Sequence, residues 1–263
     1  MGSSDSPTNA DKREHVQPGQ PTVGRTYQER LGAILAEATG QETSTVARAA
    51  DTVAATFNRN GVLYIFGSGH SHMFAEEAFY RAGGAVRVCP VLKPPYMLHE
   101  GAVRSTQRER EAGHSRTVLD GYDLDGNRDC MLVVSNSGAN ALPIEIAGTA
   151  REGGLPVIAI TSRAYADSIQ RPGPRLHEVA DVVIDNHCPP GDALVRLDQD
   201  LPLAGPASTV VGLTLLNTVI VEACARQLRD HRRPQVFLSA NMPGASEHNQ
   251  RMISQLSARI PHL

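Results

Sequence analysis

Five short apolar runs recur along the chain, and the way they end limits what it can fold into. Val62-Leu63-Tyr64-Ile65-Phe66 stops at Gly67-Ser68-Gly69, and Met131-Leu132-Val133-Val134 stops at Ser135-Asn136-Ser137-Gly138. Val157-Ile158-Ala159-Ile160 stops at Thr161-Ser162, and Val182-Val183-Ile184 at Asp185-Asn186; Val86-Arg87-Val88-Cys89 is a weaker run. Continuous apolar runs of this length, without polar alternation, suit strands buried on both faces, as in a parallel sheet. Helical patterns over about 71–82, 141–153 and 166–180 separate most of them. The chain therefore predicts a βαβ rhythm and a doubly wound α/β fold. In such a sheet, ligands bind beyond the carboxyl ends of the strands. Gly, Ser, Thr and Asn stand at that end of at least three runs.

Two helices are expected before the first run. Leu31, Ile34 and Leu35 share one face, and Val46, Ala49, Ala50, Val53, Ala54 and Phe57 share another, up to a stop at Asn60-Gly61. Residues 1 to about 24 are rich in Ser, Pro, Gln, Gly and charge. They predict a disordered tail, leaving 25–263 as one domain with an N-terminal helical extension. After Pro206, Ser208-Thr209 opens a helix running through Val210, Val211, Leu213, Leu215, Leu216, Val219 and Ile220 to about Gln227. A bilayer span needs ~20 mostly apolar residues, and Thr214, Asn217 and Thr218 interrupt this one before Glu222. The expectation is a buried or subunit-interface helix, no membrane, and a homo-oligomer, most simply a dimer.

Composition narrows the chemistry. Lys plus Arg is 25 and Asp plus Glu is 28, for a net charge of -3, which argues against a nucleic-acid partner. Aromatics are 4% and Trp is absent, so a ligand held by aromatic stacking is not expected. The only lysines are Lys12, in the tail, and Lys93, before Pro94-Pro95, which disfavours Schiff-base chemistry. Cys89, Cys130, Cys188 and Cys224 form no C-x-x-C pair. The first residues carry no basic-then-apolar signal pattern, and the cytoplasm is the expected compartment.

The loop Ser135-Asn136-Ser137-Gly138-Ala139-Asn140 is an anion-binding candidate. It follows a strand and opens a helix, whose first N–H groups lack internal partners and whose dipole favours negative charge. Ser135, Ser137, Asn136 and Asn140 add neutral donors, and Gly138 permits close backbone approach. An ordinary capped turn has the same composition, because Ser and Asn are preferred N-cap residues. Gly67-Ser68-Gly69-His70-Ser71-His72 lacks the third glycine of a dinucleotide fingerprint. His70 and His72 alone are an incomplete zinc site, needing a third ligand such as Glu76 or His248. No metal or other cofactor is expected. No G-x-S-x-G elbow and no G-x-x-x-x-G-K-[ST] loop occur.

Taken in order, Gly67-Ser68-Gly69-His70-Ser71, Ser135-Asn136-Ser137-Gly138, Thr161-Ser162 and Pro206-x-Ser208-Thr209 resemble the SIS (sugar isomerase) domain. His72-Met73, Glu76-Glu77, Phe79-Tyr80-Arg81-Ala82-Gly83-Gly84 and Ser239-Ala240-Asn241 to Glu247-His248-Asn249 resemble a phosphoheptose isomerase-like branch of it. The resemblance covers about residues 26 to 263. It implies a flavodoxin-like α/β/α sandwich with a five-stranded parallel sheet that binds phosphosugars. Its members include isomerases, an etherase, synthase domains and sugar-sensing regulators. It assigns the phosphate to Ser135, Asn136 and Ser137, helped by Ser68, with Asn140 standing where a Thr is usual. His70, Ser71, Thr161 and Ser162 fall in the same motifs as sugar contacts.

Aldose–ketose isomerisation needs a base to move a proton between adjacent carbons and an acid to open or polarise the sugar. Several SIS isomerases place a glutamate late on the first helix, where this chain has Tyr80-Arg81. Candidates are Glu76, Glu77, His99, Glu100, Glu247 and His248. The expectation is Glu77 or Glu100 as base and His99 or His248 as acid, with His248 near enough to the chain end to complete a partner's site. Arg104, Arg108, Glu109, Arg110 and Glu111 fit a solvated helical face. An isomerase is thus expected; a non-catalytic phosphosugar sensor, or a lyase or etherase on an amino-sugar phosphate, are the alternatives.

Overall fold

All five runs form strands of one parallel sheet, in the spatial order second, first, third, fourth, fifth. The computed structural model describes residues 22–263; residues 1–21 of the expected tail lie outside the described residues. The strands are β1 (Leu63–Gly67), β2 (Val88–Val91), β3 (Cys130–Val134), β4 (Val157–Thr161) and β5 (Val182–Asp185). Successive side chains point to opposite faces of a strand, and here both faces are covered. Leu63, Ile65, Leu132 and Ile158 enter one core, while Tyr64, Phe66, Met131 and Val133 enter the other.

The first core is roofed by α1 (Val23–Gln41), α2 (Thr43–Asn58), α3 (Met73–Ala78) and α9 (Ser208–Arg229). Thr22 starts α1 by accepting the Arg25 N–H at 3.2 Å, so the helix begins three residues before the expected Thr26. The second core is roofed by α5 (Ser115–Leu119), α6 (Ala141–Glu152), α8 (Leu176–Val179) and α10 (Ala245–Leu256). The short α4 (Ala102–Arg108) lies in the β2–β3 connection, and α7 (Arg163–Ser168) follows β4.

Three boundaries differ from the sequence expectation. β2 starts at Val88, because Ala85 and Val86 instead pair with Val236 and Gln235 of the C-terminal segment. The helix expected over 71–82 is a 3-10 turn, His70–His72, followed by the short α3. It ends where Phe79 becomes extended and Tyr80 takes φ 44°. The helix expected over 166–180 is the separate pair α7 and α8, because Pro172 and Pro174 cannot supply helical N–H groups.

By length and composition α9 is apolar enough to cross a bilayer. In the fold it buries Val211, Leu215, Leu216, Val219 and Ala223 against α2 and the sheet, and exposes Val210, Val221 and Leu228. Gly212 makes its close approach possible: a Cβ there would stand 2.5 Å from the Phe74 ring of α3.

Candidate functional site

β1 and β3 are neighbours, yet the chain leaves them towards opposite faces, to α3 and to α6. A crevice opens where such connections diverge. It holds a cleft of about 370 Å³, within the size range of small-molecule sites. Ser68, Gly69, His70 and Ser71 form one wall, and Ser135, Asn136, Ser137 and Asn140 the facing one. Leu98, Thr106 and Glu109 close one side; Tyr165, Gly191, Asp192, Pro206, Ser208 and Thr209 close the other.

The serine loop has unused donors. Ser135 Oγ accepts the Gly138 N–H at 3.3 Å, which leaves its own hydroxyl proton free to donate. Asn136 Oδ1 accepts from Asn186 Nδ2 at 2.9 Å, while Asn136 Nδ2 is buried with no partner. A buried donor without an acceptor is costly unless water or a ligand meets it. Gly138 sits beneath the loop at φ 56°, and a Cβ there would come within 2.6 Å of Thr161 Oγ1.

Glu109 departs from its sequence expectation. The residue ends α4 but turns inward instead of standing on a solvated face. Its Oε2 accepts from Ser68 Oγ at 2.7 Å and its Oε1 from Asn140 Nδ2 at 2.8 Å. Its backbone carbonyl accepts the Leu142 N–H of α6 at 3.0 Å. Two contacts from two loops thus hold the carboxylate in the cleft, and a third, from α6, holds its backbone. Burial pushes its pKa above the ordinary carboxylate range, against the opposing effects of the Ser68 hydrogen bond, Arg110 and Arg171. Asn140 Oδ1 also accepts from Arg171 at 3.1 Å. Asn140 thus positions Glu109 with one amide N–H and keeps the second N–H for a ligand in the cleft.

A second carboxylate, Asp192, caps α9 from outside. Its Oδ1 accepts the N–H groups of Ala207 and Ser208 at 3.0 and 2.8 Å, and its Oδ2 accepts Ser208 Oγ at 2.5 Å. With that helix end already met by a carboxylate, the serine loop is the better anion seat.

Other expected site residues lie elsewhere. Thr161 and Ser162 are fully buried and off the cleft wall. Ser162 Oγ donates to the Cys188 carbonyl at 2.6 Å and caps α7 by accepting the Tyr165 N–H at 3.1 Å. Glu77 pairs with Arg81, which stands just beyond the end of α3. His99 and Glu100 are exposed on a 3-10 turn, Leu98–Glu100, of which only Leu98 reaches the cleft. His248 Nε2 bonds the Val236 carbonyl at 2.9 Å, beside Ala85, at the amino end of the sheet and opposite the cleft. Pattern reasoning missed Glu109 and Asp192. The available signal was the long β2–β3 connection, since long ordered connections often carry function.

A family model described as SIS domain matches residues 26–162. The UPF0309 protein of Brucella canis is 45% identical over 217 residues, covering 82% of this chain and 88% of that protein. The UPF0309 protein of Halalkalibacterium halodurans is 40% identical over 242 residues, covering 90% and 96%. Among solved structures, the phosphoheptose isomerase of Neisseria gonorrhoeae superposes with a TM-score of 0.49 at 18% identity, covering 76% of this chain and 100% of that one.

Proposed function

From the premise that this chain belongs to the SIS domain family, we propose that its cleft binds a sugar phosphate and that Glu109 isomerises it by proton transfer. The observation that carries this reading is the Glu109 carboxylate, half-buried, held by Ser68 and Asn140, and sharing a cleft with the serine loop. A carboxylate moved towards neutrality by burial suits a base that takes and returns a carbon-bound proton. Ser135, Ser137 and the orphan amide of Asn136 supply the donors for the phosphate. Among the described residues no Lys or Arg lines the cleft, so phosphate binding rests on neutral donors and helix-end amides.

In the open-chain aldose phosphate, Glu109 removes the proton from C2. The C–H electrons form the C1–C2 double bond of an enediol as the carbonyl oxygen takes up a proton. Collapse of the enediol returns a proton from Glu109 to C1, and the C2 hydroxyl loses its proton to leave a ketose. The step is redox-neutral and needs no second substrate. His70, the only histidine on the cleft wall among the described residues, stands where it can serve the sugar oxygens.

The test is incubation in D₂O with hexose, heptose and amino-sugar phosphates, read by NMR. A ketose product, or deuterium on C1 or C2, is the expected result. Binding without either would leave a phosphosugar-binding protein and remove the isomerase.

A homodimer and a cytoplasmic setting belong to the same proposal. The first is supported by Val210, Val221 and Leu228 exposed along α9, the second by four cysteines without a disulfide. Light scattering at micromolar concentration should give twice the chain mass; a monomer mass would remove the dimer.

A further inference from the structure

We propose that a pocket at the amino end of the sheet, walled by Arg87, Arg232 and Arg233, binds a phosphate group, apart from the cleft and independent of the isomerase reading. Asn60, Gln227 and Gln235 line it as well. Its volume of about 150 Å³ is below the roughly 300–1,000 Å³ of pockets that enclose whole small molecules, so it suits a single anionic group. Three stretches of chain build it. The turn after α2 brings Asn60, the residues before β2 bring Arg87, and the segment after α9 brings Arg232, Arg233 and Gln235.

Backbone bonds fix these stretches to one another. The Arg87 carbonyl accepts the Leu63 N–H at 2.9 Å, the Gln235 carbonyl accepts the Val86 N–H at 3.0 Å, and the Arg232 N–H donates to the Gln227 carbonyl at 2.8 Å. Arg87 is half-buried, yet its guanidinium meets neutral oxygens alone among the described residues. Nε donates to Gln235 Oε1 at 2.9 Å, Nη1 to the Asn60 carbonyl at 2.9 Å and Nη2 to Asn60 Oδ1 at 3.3 Å. A guanidinium has five N–H groups, so one on each terminal nitrogen is left for a ligand. Burial, with a smaller effect from Arg259, pushes the Arg87 pKa down, as expected of a cation without a compensating carboxylate. The exposed Arg232 and Arg233 side chains make no hydrogen bond or ion pair among the described residues.

Charge balance decides what the pocket takes. α2 and α9 both end beside it, and a helix C-terminus carries about half a negative charge. Two such ends offset about one of the three positive charges. No Asp or Glu lines the pocket among the described residues. Asp230, just past α9, accepts from Asn58 Nδ2 at 2.8 Å and shares a separate depression with Arg226 and Arg229. An excess of about two positive charges remains, which a phosphate group of about −1.5 to −2 near neutral pH matches. A chloride or a single carboxylate would leave half of it uncompensated. Arginine forks also fit phosphate oxygens in geometry, two N–H groups to two oxygens. The source of the group is inorganic phosphate or a small phosphate monoester.

The test titrates the full chain with sodium phosphate by calorimetry, at neutral pH and constant ionic strength set with sodium chloride. Glycerol 3-phosphate is the second probe. One equivalent assigned to this pocket, with millimolar or tighter affinity, is expected. The Arg232→Ala/Arg233→Ala double variant alters exposed side chains, and circular dichroism checks its folding. It should weaken that equivalent at least about tenfold. Arg229→Ala, which removes a charge outside the pocket, should stay within about threefold of the parent. The Ser135→Ala/Ser137→Ala double variant should keep the equivalent, so a failure of the cleft and a failure of this pocket are read separately. Tighter binding of one probe names the source, and either supports the site. Absence of saturable binding of both probes in the Ser135/Ser137 variant, up to tens of millimolar, would overturn it. So would a folded Arg232/Arg233 variant that keeps every phosphate equivalent of the parent at parental affinity. None of these readouts depends on turnover.

Discussion

Replacing Glu109 by Gln is expected to lower kcat by about 10³-fold, within the range of a lost general base, while KM stays within about threefold. The variant should fold. Gln can accept from Asn140 through its carbonyl, and its amide can donate to the Ser68 hydroxyl, so both contacts survive with one reversed in direction. Only proton-accepting ability is lost. Glu109→Asp keeps the carboxylate but withdraws it by one methylene, and should recover part of the rate. In the parent, the acid limb of kcat/KM should lie above the usual glutamate value of about 4.3, because burial raises the Glu109 pKa. A Glu109→Gln variant retaining more than a tenth of the parent kcat would remove Glu109 as the base.

The same burial has a consequence for stability. A carboxyl whose pKa is higher in the folded chain than in the unfolded one leaves the folded state holding more protons between the two values. Stability then falls as pH rises through that window. The penalty is absent below the unfolded pKa and complete above the folded one. The Glu109→Gln variant carries no such charge. It should therefore melt at a higher temperature than the parent at neutral pH, with the gap closing as pH drops towards about 4. A more stable, inactive variant is the pattern expected of a residue kept for chemistry at a cost to the fold.

The second large effect concerns the serine loop. Each hydrogen bond to a charged group contributes roughly 1.5–3 kcal/mol. Ser135→Ala and Ser137→Ala should therefore each weaken sugar-phosphate binding by about one to two decades, with far less effect on the unphosphorylated sugar. The loop should persist, because the Gly138 N–H also bonds the Ser135 backbone carbonyl at 3.1 Å. Ser162→Ala is the contrasting variant. Its hydroxyl caps α7 and meets the Cys188 carbonyl, away from the cleft. It should lose about 1–2 kcal/mol of stability and leave affinity nearly unchanged. Calorimetry on the Ser135/Ser137 double variant decides the matter. An affinity within about threefold of the parent, in a folded protein, would place the phosphate elsewhere.

The sheet was legible because its information is local. A strand buried on both faces must be apolar at consecutive positions; four runs met that condition, the weaker Val86–Cys89 run is broken by Arg87, and all five fall within two or three residues of the observed strand bounds. The strand-end loops were legible for a related reason: Gly67-Ser68-Gly69 and Ser135-Asn136-Ser137-Gly138 combine tight turns with exposed donors. At the second strand a distant segment intervened. β2 begins late because residues near 236 pair with the chain around Ala85.

Glu109 shows the limit most clearly. In sequence it is one charge among Arg104, Arg108, Arg110 and Glu111, and nothing near it distinguishes it from a solvated residue. Its partners Ser68 and Asn140 lie 41 and 31 positions away. The expected acids and bases failed for the complementary reason. Glu77 finds Arg81 just beyond the end of its own helix, and the sheet's connections carry His248 to the end opposite the cleft. Residue type and spacing determined the layers, the strand order's ligand-binding end and the loops that face it, since these follow from periodicity and backbone rules. Which carboxylate is desolvated inside the cleft was decided by tertiary contacts. Burial and charge proximity are properties of three-dimensional neighbours, and one-dimensional order does not encode them locally.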